Sequence, residues 1–201
     1  MNLLGEDVSR ETLDKIDFYV CLLKKWNQTI NLISKSSVSE INNRHIWDSA
    51  QVYDYAGHWE KWVDLGSGGG LPGIVVAILA QQAYPERHVT MIESDTRKAT
   101  FLRNASRELG LETTVINARI EKVAPLECDI LSARALTDLT GLLGYADRHM
   151  KRGGCALLHK GKTWEAEVNI ARESWSFDVI AHKSNTNPDA AILEIRDIQI
   201  V

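Results

Sequence analysis

Up to Gly57 the apolar residues recur at three- and four-residue spacing; from Trp62 onward short β-like runs alternate with helical stretches. In the first part Leu13, Ile16, Val20, Leu23 and Trp26 form one helical stripe. Ser9 precedes it as a cap, and Glu11 in the first turn favours the helix dipole. Ser37-Val38-Ser39-Glu40 fits a capping box, which predicts a second helix from Ser37 carrying Ile41, Trp47, Ala50 and Tyr53. In the second part the predicted strands are Trp62–Leu65, His88–Glu93, Thr113–Asn117, Ile130–Ala133, Cys155–Lys160, Phe177–His182 and Ala191–Arg196. The predicted helices are Pro72–Gln82, Asp95–Leu109, Asp138–Met150 and Thr163–Ser174. Strand–helix alternation predicts a parallel sheet covered on both faces. The last two strands have no helix between them, and Asn185-Thr186-Asn187-Pro188 supplies turn chemistry, so they predict an antiparallel hairpin at one edge. The expected organisation is a helical extension over 1–58 packed on an α/β domain over 59–201, doubly wound, mostly parallel, seven-stranded and Rossmann-like.

Composition narrows this little. The 201 residues are 44% hydrophobic and 25% charged, enough to bury a core without disulfide or metal staples. The formal net charge of −4 argues against a general nucleic-acid binder but leaves room for a local basic patch on a shaped target. Cys21, Cys128 and Cys155 are odd in number and far apart, and read as three buried thiols in a reducing cytosol. Met1 to Gly5 runs into Glu6, Asp7, Arg10 and Glu11 without an apolar core, so no secretory signal is read there. The most apolar run, Ile74 to Ala80, is too short to span a bilayer. A cytoplasmic monomer without a metal is expected.

The chemistry begins at Trp62-Val63-Asp64-Leu65, which feeds into Gly66-Ser67-Gly68-Gly69-Gly70-Leu71 and then a helix. Strand, glycine turn and helix make a nucleotide-binding arrangement, because glycines allow a tight turn and close approach to a ligand. The dinucleotide fingerprint fails, since its sixth position is Leu71; a P-loop is excluded, since no Gly-Lys-Ser/Thr follows. The looser G-x-G-x-G form belongs to methyltransferases, whose S-adenosyl-L-methionine has no pyrophosphate to cradle. Glu93 closes the second strand, in Met91-Ile92-Glu93-Ser94-Asp95, where a carboxylate accepts from ribose hydroxyls; the bland alternative is a solvated strand-end charge. Asp64 is either an acceptor that stabilises the loop or a contact to a ligand ammonium. After the third strand, Ala118-Arg119-Ile120-Glu121 offers an apolar side chain to an adenine. After the fourth, Ser132-Ala133-Arg134-Ala135 puts a cation at the pocket mouth, with a surface salt bridge as the alternative.

These segments resemble the bacterial small-subunit ribosomal RNA guanine-N7 methyltransferases, the glucose-inhibited division protein B family. The resemblance runs in order through Trp26-Asn27-Gln28-Thr29-Ile30-Asn31-Leu32, Arg44-His45-Ile46-Trp47-Asp48-Ser49, Val63 to Ile74, Glu93-Ser94 with Arg97-Lys98 and Phe101-Leu102, Ala118 to Glu121, Ser132 to Ala135, and His159-Lys160-Gly161. It is weak after Gly161, and Gly69 stands where the family often has Pro or Ala. It implies a class I methyltransferase fold and methyl transfer from S-adenosyl-L-methionine to N7 of one guanine in the decoding region of 16S ribosomal RNA, within a small-subunit ribonucleoprotein. It implies cofactor contacts at Gly66, Leu71, Ile120, Glu121 and Arg134; Ser67, Gly68, Glu93 and Ser94 join them from the loop and strand-end reading.

Guanine N7 carries an in-plane lone pair and no proton, so positioning and electrostatics suffice and no general base is obligatory. Arg134 is then the one catalytic candidate. His45 and Asp48 share a helix face and read as a packing pair rather than a base; Asn27 and Asn31 either orient the junction with the core or help form the substrate mouth. Arg97, Lys98, Lys160 and Asn31 are the RNA-contact candidates, with Lys24-Lys25, Lys151-Arg152 and Lys162 as further cations. Two other functions compete: methylation of a protein or small molecule, and a binding protein that kept the fold and lost catalysis.

Overall fold

The computed structural model describes residues 8–201, so the reading of Met1–Gly5 and the first residues of the extension lie outside it. Strands β1 (Lys61–Leu65), β2 (His88–Ile92), β3 (Thr113–Ile116), β4 (Cys128–Arg134), β5 (Met150–Lys160), β6 (Trp175–Lys183) and β7 (Ala191–Ile200) form one seven-stranded sheet in the order β3-β2-β1-β4-β5-β7-β6. The first five run parallel, with Asp64 beside Met91 on one side and Ser132 on the other. The chain moves outward from β1 to β3 and returns to β4, so the switch point lies between β1 and β4, where open α/β sheets bind ligands. The expected final hairpin forms, but its second strand is the interior one. β7 lies antiparallel between β5 and β6. Ala191, Ile192, Leu193 and Ile195 are all buried, as a strand covered on both faces requires, whereas β6 leaves Ile180 exposed at the edge.

Helix α1 (Arg10–Asn27) is capped by Ser9, whose side chain accepts from Thr12 N. Its buried face is Ile16, Tyr19, Val20 and Leu23; Leu13 is exposed and Tyr19 takes the place expected of it. Helix α3 (Gly73–Ala83) is apolar all round, with Ile74 to Ala80 buried, and such a helix needs cover on every side. The sheet covers one side; α1 and α2 (Asp48–Asp54) cover the rest, in one continuous core with α4 (Thr96–Leu109). A second core beneath the opposite face gathers α5 (Leu139–His149) and α6 (Trp164–Ala171). Asp95 caps α4 by accepting from Arg97 N and Lys98 N, and Gly110 closes it in the left-handed region at φ +63°.

The helix expected from Ser37 is replaced by three short pieces: a 3-10 turn (Lys35–Glu40), a π-helical turn (Asn42–Trp47) and α2. The capping box does not form. Ser37 Oγ donates to Ser34 O at 2.9 Å and pairs with His45 Nε2 at 2.7 Å, so its hydroxyl is spent before it can cap. Cys128 and Cys155 are buried as expected, but Cys21 is exposed on α1. Among the described residues no helix is long and apolar enough to cross a membrane.

Candidate active site

The glycine turn leaves β1 with Gly66 at φ +62° and Gly70 at φ +85°, conformations that side chains rarely adopt. A Cβ on Gly66 would also come within 2.7 Å of Leu136 Cδ1, from the segment after β4. Asp64 anchors the turn from beneath. It is fully buried, accepts from Ser132 Oγ at 2.7 Å and from Gly73 N at 3.2 Å, and burial pushes its carboxyl up to about 6. Trp62 Nε1 donates to the same Ser132 hydroxyl at 2.8 Å, extending the chain of bonds across β1 and β4. Of the two roles open to Asp64, this geometry is that of the loop-stabilising acceptor. Ser67 is likewise occupied: it is buried, and its hydroxyl donates to Asp64 O at 3.0 Å.

Glu93 reaches back from the end of β2. Its carboxylate accepts from Gly68 N at 2.8 Å and Asp95 N at 2.7 Å, so it ties the turn to the cap of α4. A carboxylate offers about four lone-pair sites, and these bonds use two, which leaves acceptors for a ribose diol. A Cβ on Gly68 would meet only Gly66 O, at 3.8 Å, so the turn is open where a ligand would lie against it. Asn117 Nδ2 donates to the Glu93 and Ser94 carbonyls at 2.9 and 3.2 Å, holding the β2 and β3 ends together. Beyond β3, Ile120 is buried in a 3-10 turn (Ile120–Lys122), while Glu121 and Ser94 are exposed. Leu71 is buried and belongs to the core with α1 and α3. The donor and acceptor set therefore fits an adenosine: an acidic ribose acceptor, an apolar wall and a glycine turn.

The segment before β1 supplies the other wall. Tyr19, buried on α1, donates its hydroxyl to Gly69 O; burial holds that phenol far above its ordinary range, so it stays a donor. Leu23 and Leu32 pack on the same glycine, with Leu23 Cδ1 3.2 Å from where its Cβ would be. Asn27 Oδ1 accepts from Leu32 N at 2.9 Å and Ile33 N at 3.0 Å, so it orients the junction; Asn31 is exposed on that turn. The sequence reading missed Tyr19, whose signal is its place between Ile16 and Leu23 with a polar tip that needs a partner.

Arg134, at the end of β4, is no surface salt bridge. Its side chain is 18% exposed and its guanidinium donates to Asp48 Oδ2 at 3.3 Å, Arg44 O at 3.3 Å and His45 Nδ1 at 3.2 Å. Burial first, then the Arg134 charge, pushes His45 down to about 4, so its ring is neutral at pH 7. Its Nδ1 accepts from Arg134, leaving Nε2 to donate to Ser37. His45 and Asp48 thus share a partner, Arg134, rather than pairing with each other. Asp48 also accepts from Thr186 Oγ1 at 2.9 Å, and its carbonyl takes a bond from His159 Nε2 at 2.9 Å. Burial depresses His159, and it too is neutral.

These groups line a cavity of 660 Å³ beyond the ends of β4 and β5, walled by Arg44 and Asp48, by Arg134 and His159, and by Thr186 and Asn187 of the β6–β7 turn. Lys160 lines it too, but is buried and paired with Glu167 Oε2 at 2.6 Å and Thr137 O at 2.9 Å. It reaches a phosphate only by breaking that pair. Arg97 and Lys98 lie in the first turn of α4, Arg97 with its side chain 73% exposed.

The family described as rRNA small subunit methyltransferase G matches residues 12–193. Ribosomal RNA small subunit methyltransferase G of Ruegeria sp. (strain TM1040) is 50% identical over 195 residues, 97% of this chain and 95% of that protein. Its counterpart in Paracoccus denitrificans (strain Pd 1222) is 50% identical over 194 residues, 96% of this chain and 98% of that protein. Among solved structures, a SAM dependent methyltransferase from Aquifex aeolicus superposes with a TM-score of 0.61 at 14% identity, covering 89% of this chain and 98% of that one. A mutant of MtNAS in complex with S-adenosylmethionine superposes at 0.60 and 15% identity, over 92% of this chain and 76% of that one. These two likenesses are of fold, and they make the sheet described above the Rossmann-like sheet of class I methyltransferases. On the sequence match over nearly its whole length, the chain belongs to the rRNA small subunit methyltransferase G family.

Proposed function

We propose that this chain methylates N7 of a single guanine in the decoding region of 16S ribosomal RNA, with S-adenosylmethionine as methyl donor. The observation that carries the reading is the strand-end cavity, where neither nearby histidine offers a free and accessible base: neutral His45 has its acceptor nitrogen taken by Arg134, and neutral His159 donates through Nε2 to the Asp48 carbonyl with its Nδ1 buried and unpaired. Such a site suits an acceptor atom with a free lone pair and no proton to remove. Nucleophilic cysteine chemistry is disfavoured, because burial pushes Cys128 up to about 12 and Cys155 up to about 11. Ribosomal RNA of the small subunit is the substrate named for the relatives above.

S-adenosylmethionine supplies a methyl group activated on a sulfonium sulfur. Around it, Gly66, Gly68 and Leu71 form the turn, Ser67 braces that turn, and Glu93 accepts from the ribose with Ser94 beside it. Ile120 and Glu121 would flank the adenine. Arg134, aimed by His45 and Asp48, would offer its remaining N–H donors to hold the guanine in place, a contribution of orientation rather than of charge. Arg97, Lys98 and Asn31 face the RNA, and Lys160 braces the cavity wall. On this reading residues 1–58 are the helical extension and 59–201 the methyltransferase domain, working as a cytoplasmic monomer on an assembling ribonucleoprotein.

The test is direct. Small-subunit particles lacking the modification are incubated with the protein and S-adenosylmethionine, and N7-methylguanosine is mapped by borohydride reduction and aniline cleavage. One new cleavage in the decoding region is expected. Methyl incorporation elsewhere in the RNA, or none with the cofactor bound, refutes the reading.

A further inference from the structure

A second feature of the surface lies away from the strand-end cavity, between the end of α1 and the start of α4. A groove of 480 Å³ runs there, with Ile30, Thr29 and the half-buried Trp26 indole on one wall, Thr100 on the other, and Lys25 and Arg97 at its rim. Its floor is apolar, yet its neighbourhood is rich in cations. Residues 21–34 and 96–107 carry Lys24, Lys25, Arg97, Lys98, Arg103 and Arg107 and no Asp or Glu, in a protein whose formal net charge is −4; at the borders Arg97 pairs with Asp95 at 3.4 Å and Arg107 with Glu108 at 3.2 Å, through exposed arginine side chains. Trp26 packs edge-on against Phe101, with ring centroids 5.6 Å apart. The groove also borders the cofactor turn: α4 starts just after Glu93 and its cap Asp95, and Leu23 and Leu32, which flank Trp26 and Ile30 in sequence, back Gly69.

We infer that this groove seats an unpaired nucleotide of the RNA substrate, flanking the target guanine, with its base against Trp26 and Ile30 and its phosphates between Lys25 and Arg97. The inference rests on the ribosomal RNA methyltransferase reading and adds where the strand lies. An apolar, aromatic floor with a cationic rim is what single-stranded nucleic acid uses, since every base has a face to bury and every linkage a charge to neutralise. A base to be methylated inside a cavity must leave its stack, and the strand beside it then needs a protein surface of this kind. In an acidic protein the local cations also draw the RNA to this face and away from the rest of the surface.

The experiment compares wild type with the double variant Lys25→Glu/Thr100→Glu, both exposed positions on helices. The control is Arg10→Glu, 15 residues earlier on α1 than Lys25 and so about 22 Å away, beyond the ~10 Å Debye length at 0.1 M salt. Binding of a fluorescein-labelled single-stranded RNA oligonucleotide is read by anisotropy across a salt series, and S-adenosylhomocysteine affinity by calorimetry. The double variant is expected to bind the oligonucleotide at least tenfold more weakly with a shallower salt dependence, and to raise KM for small-subunit RNA with kcat unchanged. Its S-adenosylhomocysteine affinity stays at wild type, and Arg10→Glu does none of this. Wild-type RNA affinity and salt slope in the double variant overturn the inference, as does a wild-type protein that does not bind the oligonucleotide. A wild type that binds RNA through this groove but never methylates it upholds the groove and sinks the methyltransferase reading, so the two failures are distinct.

Discussion

Asp64 is the group on which the glycine turn hangs, and its charge is expensive. Burial raises its carboxyl from the ordinary 3.8 to about 6 despite bonds from Ser132, Ser67 and Gly73 that favour the ion. At 1.36 kcal/mol per pH unit, that difference is worth about 3 kcal/mol. Between the two values the native state holds a proton that the unfolded state has released, so this group's contribution is greatest at low pH and is lost as pH rises through 6. About 2 kcal/mol of the change falls between pH 4 and pH 7. Asp64→Asn removes the titration and keeps most of the geometry: its carbonyl accepts from Gly73 N, and its amide faces Ser132 Oγ. The Ser132 hydroxyl then loses its acceptor, a pH-independent cost of about 1 kcal/mol. Urea unfolding followed by tryptophan fluorescence at several pH values, variant against wild type, isolates the group. The variant is expected to gain about 2 kcal/mol on wild type from pH 4 to pH 7. A difference that stays flat with pH, or moves the other way, refutes the reasoning.

Glu93→Ala removes the ribose acceptor and frees the Gly68 and Asp95 amides, so S-adenosylmethionine affinity should fall at least tenfold by calorimetry; unchanged affinity takes Glu93 out of the site. Arg134→Ala should lower kcat at least tenfold in a methyl-incorporation assay. Arg134→Lys should not restore it, because a single ammonium cannot meet Asp48, His45 and the Arg44 carbonyl together; wild-type kinetics in either variant return Arg134 to a purely structural role.

The parts of this molecule legible in the sequence are those fixed by neighbours in the chain. Ser9 caps its helix because its side chain needs only a backbone N–H three residues on. The β1 turn and Glu93 were legible because strand, glycines and carboxylate follow one another. What depends on distant partners was not. That β7 enters the sheet between β5 and β6 is decided by Leu193 and Ile192 meeting Leu158 and His159, and no spacing within 175–200 reveals it. Lys160 reads in the sequence as an RNA-contact candidate near a strand end; its pairing with Glu167 across the following turn follows only from the packing of α6.

The largest misreading falls where the site depends on it most. The pattern Ser37-Val38-Ser39-Glu40 promises a regular helix, and in a regular helix the Asp48 N–H would take the Arg44 carbonyl. Here the π-helical turn ends at Trp47, the Asp48 N–H closes it with a tight bond to His45 O, and the Arg44 carbonyl accepts from the Arg134 guanidinium. The same turn brings His45 between Ser37 and Arg134 and points Asp48 at Arg134 and Thr186. Three acceptors from one irregular stretch therefore aim a single cation from β4. Wider turns of this kind concentrate at functional sites because they free or redirect backbone groups that a regular ladder would consume. A conflict between a strong local helix signal and the observed backbone is what a functional site would show, and it supports the proposed one. It ties the segment before β1 to Arg134 at the end of β4, as more than a cover for α3.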